Sequence, residues 1–261
     1  MMNKSRERNF RILEFKNNQF DIIGDIHGCY DELIALVTKL GYENKNGLYI
    51  HPEGRKLISV GDLADKGPKN LQCIYFWMDH IAYAGAHWIH GNHCNKLYRY
   101  FLGNKVHISK DMECTLSEYE ALSKDDQRAF RQRYMTCYES QCYYLLLDKK
   151  KLAVVHGGLP AESIGHFSNK IRAVCLYGET TGEVNEHGRP HRLDWGALYQ
   201  GDAFVVYGHT VVRDAVVVNQ TIDIDQGCVY GGALTAFRYP EKEIVQVEGT
   251  AYAVYKGTSD F

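Results

Sequence analysis

Three times in its first hundred residues the chain carries a short apolar run toward a glycine and a polar side chain able to bind a metal. The run at 20–24 leads into Asp25, the run at 56–60 into Gly61-Asp62, and the run at 86–90 into Gly91-Asn92. Runs of this length read as buried strands. Helical periodicity follows at about 30–40, with Leu33, Leu36, Val37 and Leu40 on one face, and at about 70–84. Gly41 stops the first of these helices. Strand–loop–helix units of this kind build an α/β sheet, and ligands collect at the carboxyl edge of such a sheet. The three polar residues are predicted to stand on that edge.

The second half returns to strands. Runs at 143–147 and 151–155 flank a hairpin-like turn at 148–150, and further runs lie at 204–207, 215–218, 221–224, 234–237 and 244–247. Their close spacing predicts a second, largely antiparallel sheet. The expected architecture is therefore α/β, with two face-to-face mixed sheets flanked by helices. Between the halves, about 96–140 is charged, rich in Tyr and helical in pattern. This is a helical insertion, either packed against the sheet or placed as a lid over a pocket. Thr115-x-x-Glu118 reads as a capping box opening a short helix, and Ser123 as the cap of another running to about 137. With 261 residues and no Pro- or Ser-rich linker, a single domain over 1–261 is expected, with 1–10 as a polar N-terminal arm.

The formal net charge of −2 argues against a protein built mainly to grip nucleic acid, which usually carries a basic face. No apolar run is long enough to span a bilayer, and 1–10 lack the apolar core of a secretory signal, so a cytoplasmic protein without a membrane partner is expected. The eight cysteines form no C-x-x-C pair, which points to reduced, mostly packed thiols.

Five short motifs fall at strand ends: Gly24-Asp-Ile-His-Gly28, Gly61-Asp-Leu-Ala-Asp65, Gly91-Asn-His93, His156-Gly-Gly158 and Gly208-His-Thr210. Each joins a metal-capable side chain to a glycine, which permits a tight turn and close backbone approach. Any one alone is weak. Together they offer carboxylates, imidazoles and one amide oxygen, a set suited to Mn²⁺, Fe or Zn²⁺ rather than to thiolate-seeking ions.

This ordered set resembles the calcineurin-like metallophosphoesterase superfamily, in its phosphoprotein-phosphatase branch, over nearly the whole chain. The stretch Asp21-Ile-Ile-Gly-Asp-Ile-His-Gly-Cys-Tyr-Asp-Glu-Leu33 resembles the opening of the phosphatase module of bacterial polynucleotide kinase-phosphatase and of bacterial dinucleoside tetraphosphatases. So do Leu176-Tyr-Gly-Glu-Thr-Thr-Gly-Glu183, Ile224-Asp-Gln-Gly-Cys-Val-Tyr-Gly-Gly232 and Leu234-Thr-Ala-Phe-Arg-Tyr-Pro-Glu241. The resemblance implies a four-layer sandwich and two divalent metal ions, Mn²⁺ foremost, with Ni²⁺, Fe or Zn²⁺ also compatible. It implies that Asp25 and His27 hold the first ion, that Asp62 bridges, and that Asn92, His156 and His209 hold the second. Hydrolysis of phosphate esters or anhydrides would then proceed by in-line attack of a hydroxide held between the ions. His93 is implied as general acid, with Asp65 orienting its ring.

The chain departs from the branch at two points. Asp65-Lys66-Gly67-Pro68 stands where the branch reads Asp-Arg-Gly-Pro, so Lys66 keeps the charge of a phosphate-binding residue without the guanidinium fork. Arg99 and Arg172 are candidates to make good that loss. Cys94 follows Gly-Asn-His where an acidic residue is common, and reads as a packed thiol. Asp225 matches an acidic position near the site in the kinase-phosphatase modules, and His90 reads as core or as support behind the site. The expected substrate is a phosphorylated small molecule or nucleotide, such as a dinucleoside polyphosphate or a phosphorylated nucleic-acid end. The absence of a Gly-x-x-x-x-Gly-Lys-Ser/Thr motif and of basic charge weighs against the nucleic-acid version. Tyr98, Tyr100, Phe101 and Tyr138 either stack a base or fill core. The alternatives are a protein Ser/Thr/Tyr phosphatase and an inactive binding module.

Overall fold

The computed structural model describes residues 10–184 and 190–254. In chain order the elements are β1 (Phe10–Ile12), β2 (Phe20–Ile23), α1 (Tyr30–Lys39), β3 (Glu43–Lys45), β4 (Leu48–Ile50), β5 (Lys56–Ser59), α2 (Asn70–Tyr83) and β6 (His87–Trp88). Then come α3 (Asn92–Phe101), α4 (Lys110–Glu120), α5 (Lys124–Glu139), β7 (Tyr144–Leu147), β8 (Leu152–Val155), α6 (Asn169–Tyr177), β9 (Thr180–Val184) and β10 (Pro190–Arg192). The last are α7 (Trp195–Leu198), β11 (Phe204–Tyr207), β12 (Val217–Val218), β13 (Thr221–Asp223), β14 (Asp225–Gln226), β15 (Ala233–Tyr239) and β16 (Glu243–Glu248).

Two six-stranded sheets face each other. One runs β14-β15-β2-β5-β6 with β16 on the other edge of β15, and the second runs β1-β7-β8-β11-β13-β12. Strand alternation explains the layering. In β7, Leu145 and Leu147 enter the core between the sheets with Ile22, Ile58, Val154, Val206 and Phe237. Tyr144 and Leu146 face outward onto Cys175, Trp195 and Tyr199 of the α6–α7 side. On the opposite flank, Leu33, Leu36 and Val37 of α1 and Ile74 and Trp77 of α2 cover the first sheet. The result is the expected four-layer α/β sandwich.

Both sheets are mixed, and the strands divide between them differently from the sequence reading. The second sheet is not largely antiparallel: β1 with β7, β8 with β11, and β11 with β13 are parallel pairs. The last two long strands, β15 and β16, leave that sheet and join the first, where Ala236 pairs with Ile23. β14 pairs with the same edge of β15 as β2 does, with Asp225 opposite Leu234. This sets Asp225 just beyond the carboxyl end of β2. Phe10 pairs with Tyr144 and so belongs to the sheet rather than to an arm, while 1–9 lie outside the described residues.

The insertion packs on α2, α3 and Trp88 of β6 through Met112, Leu116, Phe130 and Tyr134. Tyr138 is buried, stacked on His90 (3.8 Å between centroids) and on Tyr98 (4.3 Å), and Phe101 is buried among Tyr119, Phe130 and Tyr134. Tyr138 and Phe101 are core, and Tyr98 and Tyr100 are half-buried against it. Ser123 caps α5 as expected, accepting from Asp126 N. Thr115 and Glu118 do not form a capping box, because α4 begins at Lys110, after its N-cap Ser109, and both lie within it. Glu118 instead caps α2, accepting from Asn70 N and Leu71 N, each at 2.8 Å.

Candidate metal centre

The carboxyl ends of β2, β5 and β6 in one sheet and of β8 and β11 in the other converge on one place. The loop after β2 brings Asp25 and His27, the loop after β5 brings Asp62, Asp65 and Lys66, and the start of α3 brings Asn92 and His93. His156 follows β8, and His209 follows β11. The backbone is bent hard to achieve this. His27, Asp62, Asp65, Lys66 and His209 all take positive φ, between 41° and 75°. Such conformations cost about 1–3 kcal/mol each outside glycine and persist where the surroundings enforce them. Two neighbouring glycines are required by space. A Cβ on Gly91 would overlap the Asp62 carboxylate, and one on Gly208 the Asp25 carboxylate.

Two groups of potential ligand atoms share Asp62. His27, Asp62 and His93 form one, and Asp62, His156 and His209 the other, with the atoms of each group within 4.8 Å of one another. His27 Nε2 is 3.9 Å from carboxylate oxygens of both Asp25 and Asp62. His156 Nε2 lies 2.9 Å from Asn92 Oδ1 and 3.4 Å from Asp62 Oδ2. The second nitrogens of these rings face main-chain carbonyls, His27 Nδ1 on Ala64 O (3.0 Å) and His156 Nδ1 on Val60 O (3.2 Å). A carbonyl can only accept, so Nδ1 carries the proton and the Nε2 lone pair points into the site. Such outer contacts orient metal-ligating imidazoles.

The donor set fits divalent cations. His156 Nε2, Asn92 Oδ1 and Asp62 Oδ2 are three lone-pair atoms drawn together, an arrangement that a shared cation relieves. Asp25 Oδ2 and His209 Nε2 are buried with no hydrogen-bond partner among the described residues. Charge agrees. Burial, then Asp225 and Asp62, hold the Asp25 carboxyl well above its usual range. Burial, then Asp225, also raises Asp223, and burial raises Asp225. Burial pushes the Asp62 carboxyl up, but His156, His93 and His27 outweigh it and hold it well below the ordinary value. Burial, then Lys66, lowers His27, and burial, then His156, lowers His209. The crowded, buried carboxylates of Asp25, Asp223 and Asp225 are short of positive charge, which metal ions would supply.

The other predicted residues fall out as follows. His93 N donates to Asp62 Oδ1 (2.9 Å), and His93 Nδ1 donates to Asp65 Oδ2 (2.6 Å). Asp65 is held in turn by Thr115, whose Oγ1 donates to Asp65 Oδ1 (2.6 Å) and accepts from Asp65 N (3.1 Å). Lys66 Nζ lies 2.7 Å from His27 Nε2 and 5.4 Å from the Tyr230 ring. Asp225 faces Asp25 and Lys66. Arg99 is exposed at the last turn of α3, and Arg172 stands over Tyr143. No described hydrogen bond or ion pair ties either to the cluster. The guanidinium that does reach its rim is Arg192 on β10, which donates to Thr210 Oγ1 (2.8 Å) beside His209. Sequence reasoning missed it, and missed Thr115 too, because neither stands in a metal-type motif. His90 is core, its Nε2 on Tyr138 O and its imidazole pushed down to about 3 by burial. Cys94 is a packed thiol that burial raises.

An α/β sandwich with this cage where the two sheets meet has the build of a metal-dependent hydrolase. The family model for calcineurin-like phosphoesterases matches residues 19–213. A bis(5'-nucleosyl)-tetraphosphatase PrpE [asymmetrical] of Geobacillus sp. (strain WCH70) is 48% identical over 88% of this chain and 94% of its own. The protein of the same name from Bacillus subtilis (strain 168) is 48% identical over 87% and 93%. Among solved structures, one provisionally named a diadenosine tetraphosphatase covers 93% of this chain and 99% of its own (TM-score 0.65, 24% identity). A protein serine/threonine phosphatase from Saccharomyces cerevisiae covers 94% and 84% (TM-score 0.55, 14% identity). Both share the fold. The chain belongs to the calcineurin-like phosphoesterase family. It is accordingly a hydrolase, a phosphoesterase that works with divalent metal ions.

Proposed function

We propose that the chain hydrolyses dinucleoside tetraphosphates off-centre, releasing a nucleoside triphosphate and a nucleoside monophosphate, at a two-metal centre within one domain. The observation that carries this reading is a candidate ligand cage divided about Asp62 in a chain 48% identical, over 88% of its length, to a relative named for that activity. In this reading Asp25, His27, Asp62, Asn92, His156 and His209 hold the ions, with Asp62 shared. Mn²⁺ suits the mixed nitrogen and oxygen set. When bound, the ions activate solvent and neutralise charge on the phosphoryl oxygens.

The chain's own groups do the rest. His93 presents its remaining ring nitrogen, Nε2, while Nδ1–H is fixed on Asp65, the arrangement of an imidazole that protonates a leaving oxygen. Asp65 stabilises the imidazolium and sets its tautomer, and Thr115 keeps the carboxylate turned toward it. Arg192 is placed to meet an anionic substrate at the rim, and Lys66 brings a buried positive charge beside Asp62 and Asp225.

The direct test is turnover of diadenosine tetraphosphate with Mn²⁺, with products separated by anion exchange. ATP and AMP in equal amounts are expected. ADP alone would reject off-centre cleavage. No nucleotide release alongside fast dephosphorylation of a phosphopeptide would move the activity to protein substrates.

A further inference from the structure

His27 sends one ring nitrogen into the cluster, and that nitrogen is already engaged. Lys66 Nζ lies 2.7 Å from Nε2, within hydrogen-bond reach of its lone pair, while Nδ1 faces Ala64 O. The lysine backbone is pinned. Its N donates to Asp111 O of α4 at 3.0 Å, the next N–H closes on Asp65 O at 3.0 Å, and φ is 74°. The ammonium therefore reaches His27 by its side-chain torsions alone and can leave the same way. Its other partners are already at hand: the ammonium hydrogen-bonds the Tyr230 side chain, whose ring lies 5.4 Å from Nζ, and Asp225 is close enough to be stabilised by its charge. In the other half, His156 Nε2, Asn92 Oδ1 and Asp62 Oδ2 converge on one another, and His209 Nε2 is buried with no hydrogen-bond partner among the described residues.

We propose that Lys66 is an internal competitor for the cation at His27, so that the two halves of the centre bind metal unequally. The Asn92–His156–His209 half fills tightly. The Asp25–His27 half fills only by driving the lysine off the imidazole. The reasoning is elementary. An imidazole nitrogen has one lone pair, which accepts an ammonium proton or binds a metal but not both. A positive charge left beside the ion opposes it further. Occupancy of the Asp25–His27 half then follows metal concentration over a range where the other half is already full. The inference rests on the metal centre proposed above.

The test is calorimetric titration of the metal-stripped protein with Mn²⁺. The native chain is expected to show two classes of site, and His27→Asn to lose the weaker one. Lys66→Met is expected to tighten the weaker class at least tenfold while moving the tighter class less than threefold. Lys66→Gln serves should the Met variant misfold. Two sites of equal affinity in the native chain overturn the proposal. So does a weaker class that fails to tighten in lysine variants whose circular dichroism stays native. A native chain that binds no Mn²⁺ overturns the metal centre itself, and this inference with it.

Discussion

Asp21 and Asp25 stand four residues apart at opposite ends of β2, both buried, and their surroundings differ in kind. Asp21 is closed in by cations and donors of the chain. Arg55 bonds to both of its carboxylate oxygens, at 2.9 and 3.0 Å, and Arg238 Nε (2.9 Å) and Tyr42 OH (2.9 Å) complete it. Arg55 also bonds to Glu241 and to the carbonyls of Phe20 and Tyr239. Asp25 keeps one oxygen unpartnered, with Asp62 and Asp225 for neighbours. A buried carboxylate costs several kcal/mol unless its charge is met. At the amino-terminal end of the strand the fold meets it. At the carboxyl end one oxygen of Asp25 has no partner among the described residues.

The contrast is most sharply tested by removing one charge at each end. Asp25→Asn deletes the buried carboxylate whose charge burial, Asp225 and Asp62 oppose. Loss of all measurable phosphohydrolysis is expected, with native circular dichroism and a metal-free melting temperature no lower than the parent's. Asp21→Asn should do the opposite, leaving Arg55 and Arg238 without their shared partner. A loss of about 3–5 kcal/mol is expected in urea unfolding, as for a broken buried ion pair, with kcat little changed in the fraction that stays folded. If Asp25→Asn destabilised as strongly as Asp21→Asn, the two ends would be alike and the distinction would fall.

Chemistry beyond the ions should be confined to the carboxyl end. His93→Asn is expected to lower kcat for an alkyl phosphate by about 10²-fold or more, the usual contribution of positioned proton transfer. It should cost far less for p-nitrophenyl phosphate, whose leaving oxygen needs little protonation. Equal losses on both substrates would make His93 a ligand rather than an acid. At the opposite end of β6, His87 is a purely structural counterpart. Burial, then Arg11, pushes its imidazole down to about 4. The unfolded chain then binds the proton first, so stability present above about pH 6.5 is lost as pH falls toward 4. His87→Gln should flatten that decline by roughly 1–3 kcal/mol in urea melts at pH 7 and pH 4.5.

Much of this was legible because the candidate ligands stand in short local motifs. A strand, a glycine and a donor, repeated in five motifs, mark Asp25, Asp62, Asn92, His156 and His209. What stayed hidden depends on pairings distant in sequence. Nothing near Ala236 says that it will pair with Ile23 rather than with the strands before it, since strand pairing is decided between segments. Glu118 matched a helix start, yet it caps a helix some 48 positions away. Lys66 reads as a phosphate binder by position, and only the fold shows its amine turned onto His27.

Thr115 shows how the helical insertion reaches into the chemistry, and it carries the smallest effect expected. Its hydroxyl both donates to and accepts from Asp65, and Lys66 N is held by Asp111 one turn earlier on α4. The insertion thus braces the Asp65–Lys66 loop from behind, whether or not it also covers substrate. Thr115→Val keeps the shape and removes both hydrogen bonds, freeing the Asp65 carboxylate to turn from His93. A fall of about 10-fold in kcat on an alkyl phosphate is expected, the lower end for lost outer contacts, with KM unchanged. Thr115→Ser should restore it. Because Thr115 acts through Asp65 and His93, its effect should vanish in the His93→Asn background. Additive losses in the double variant would show that α4 supports the site by another route, through Lys66 or through packing on α2.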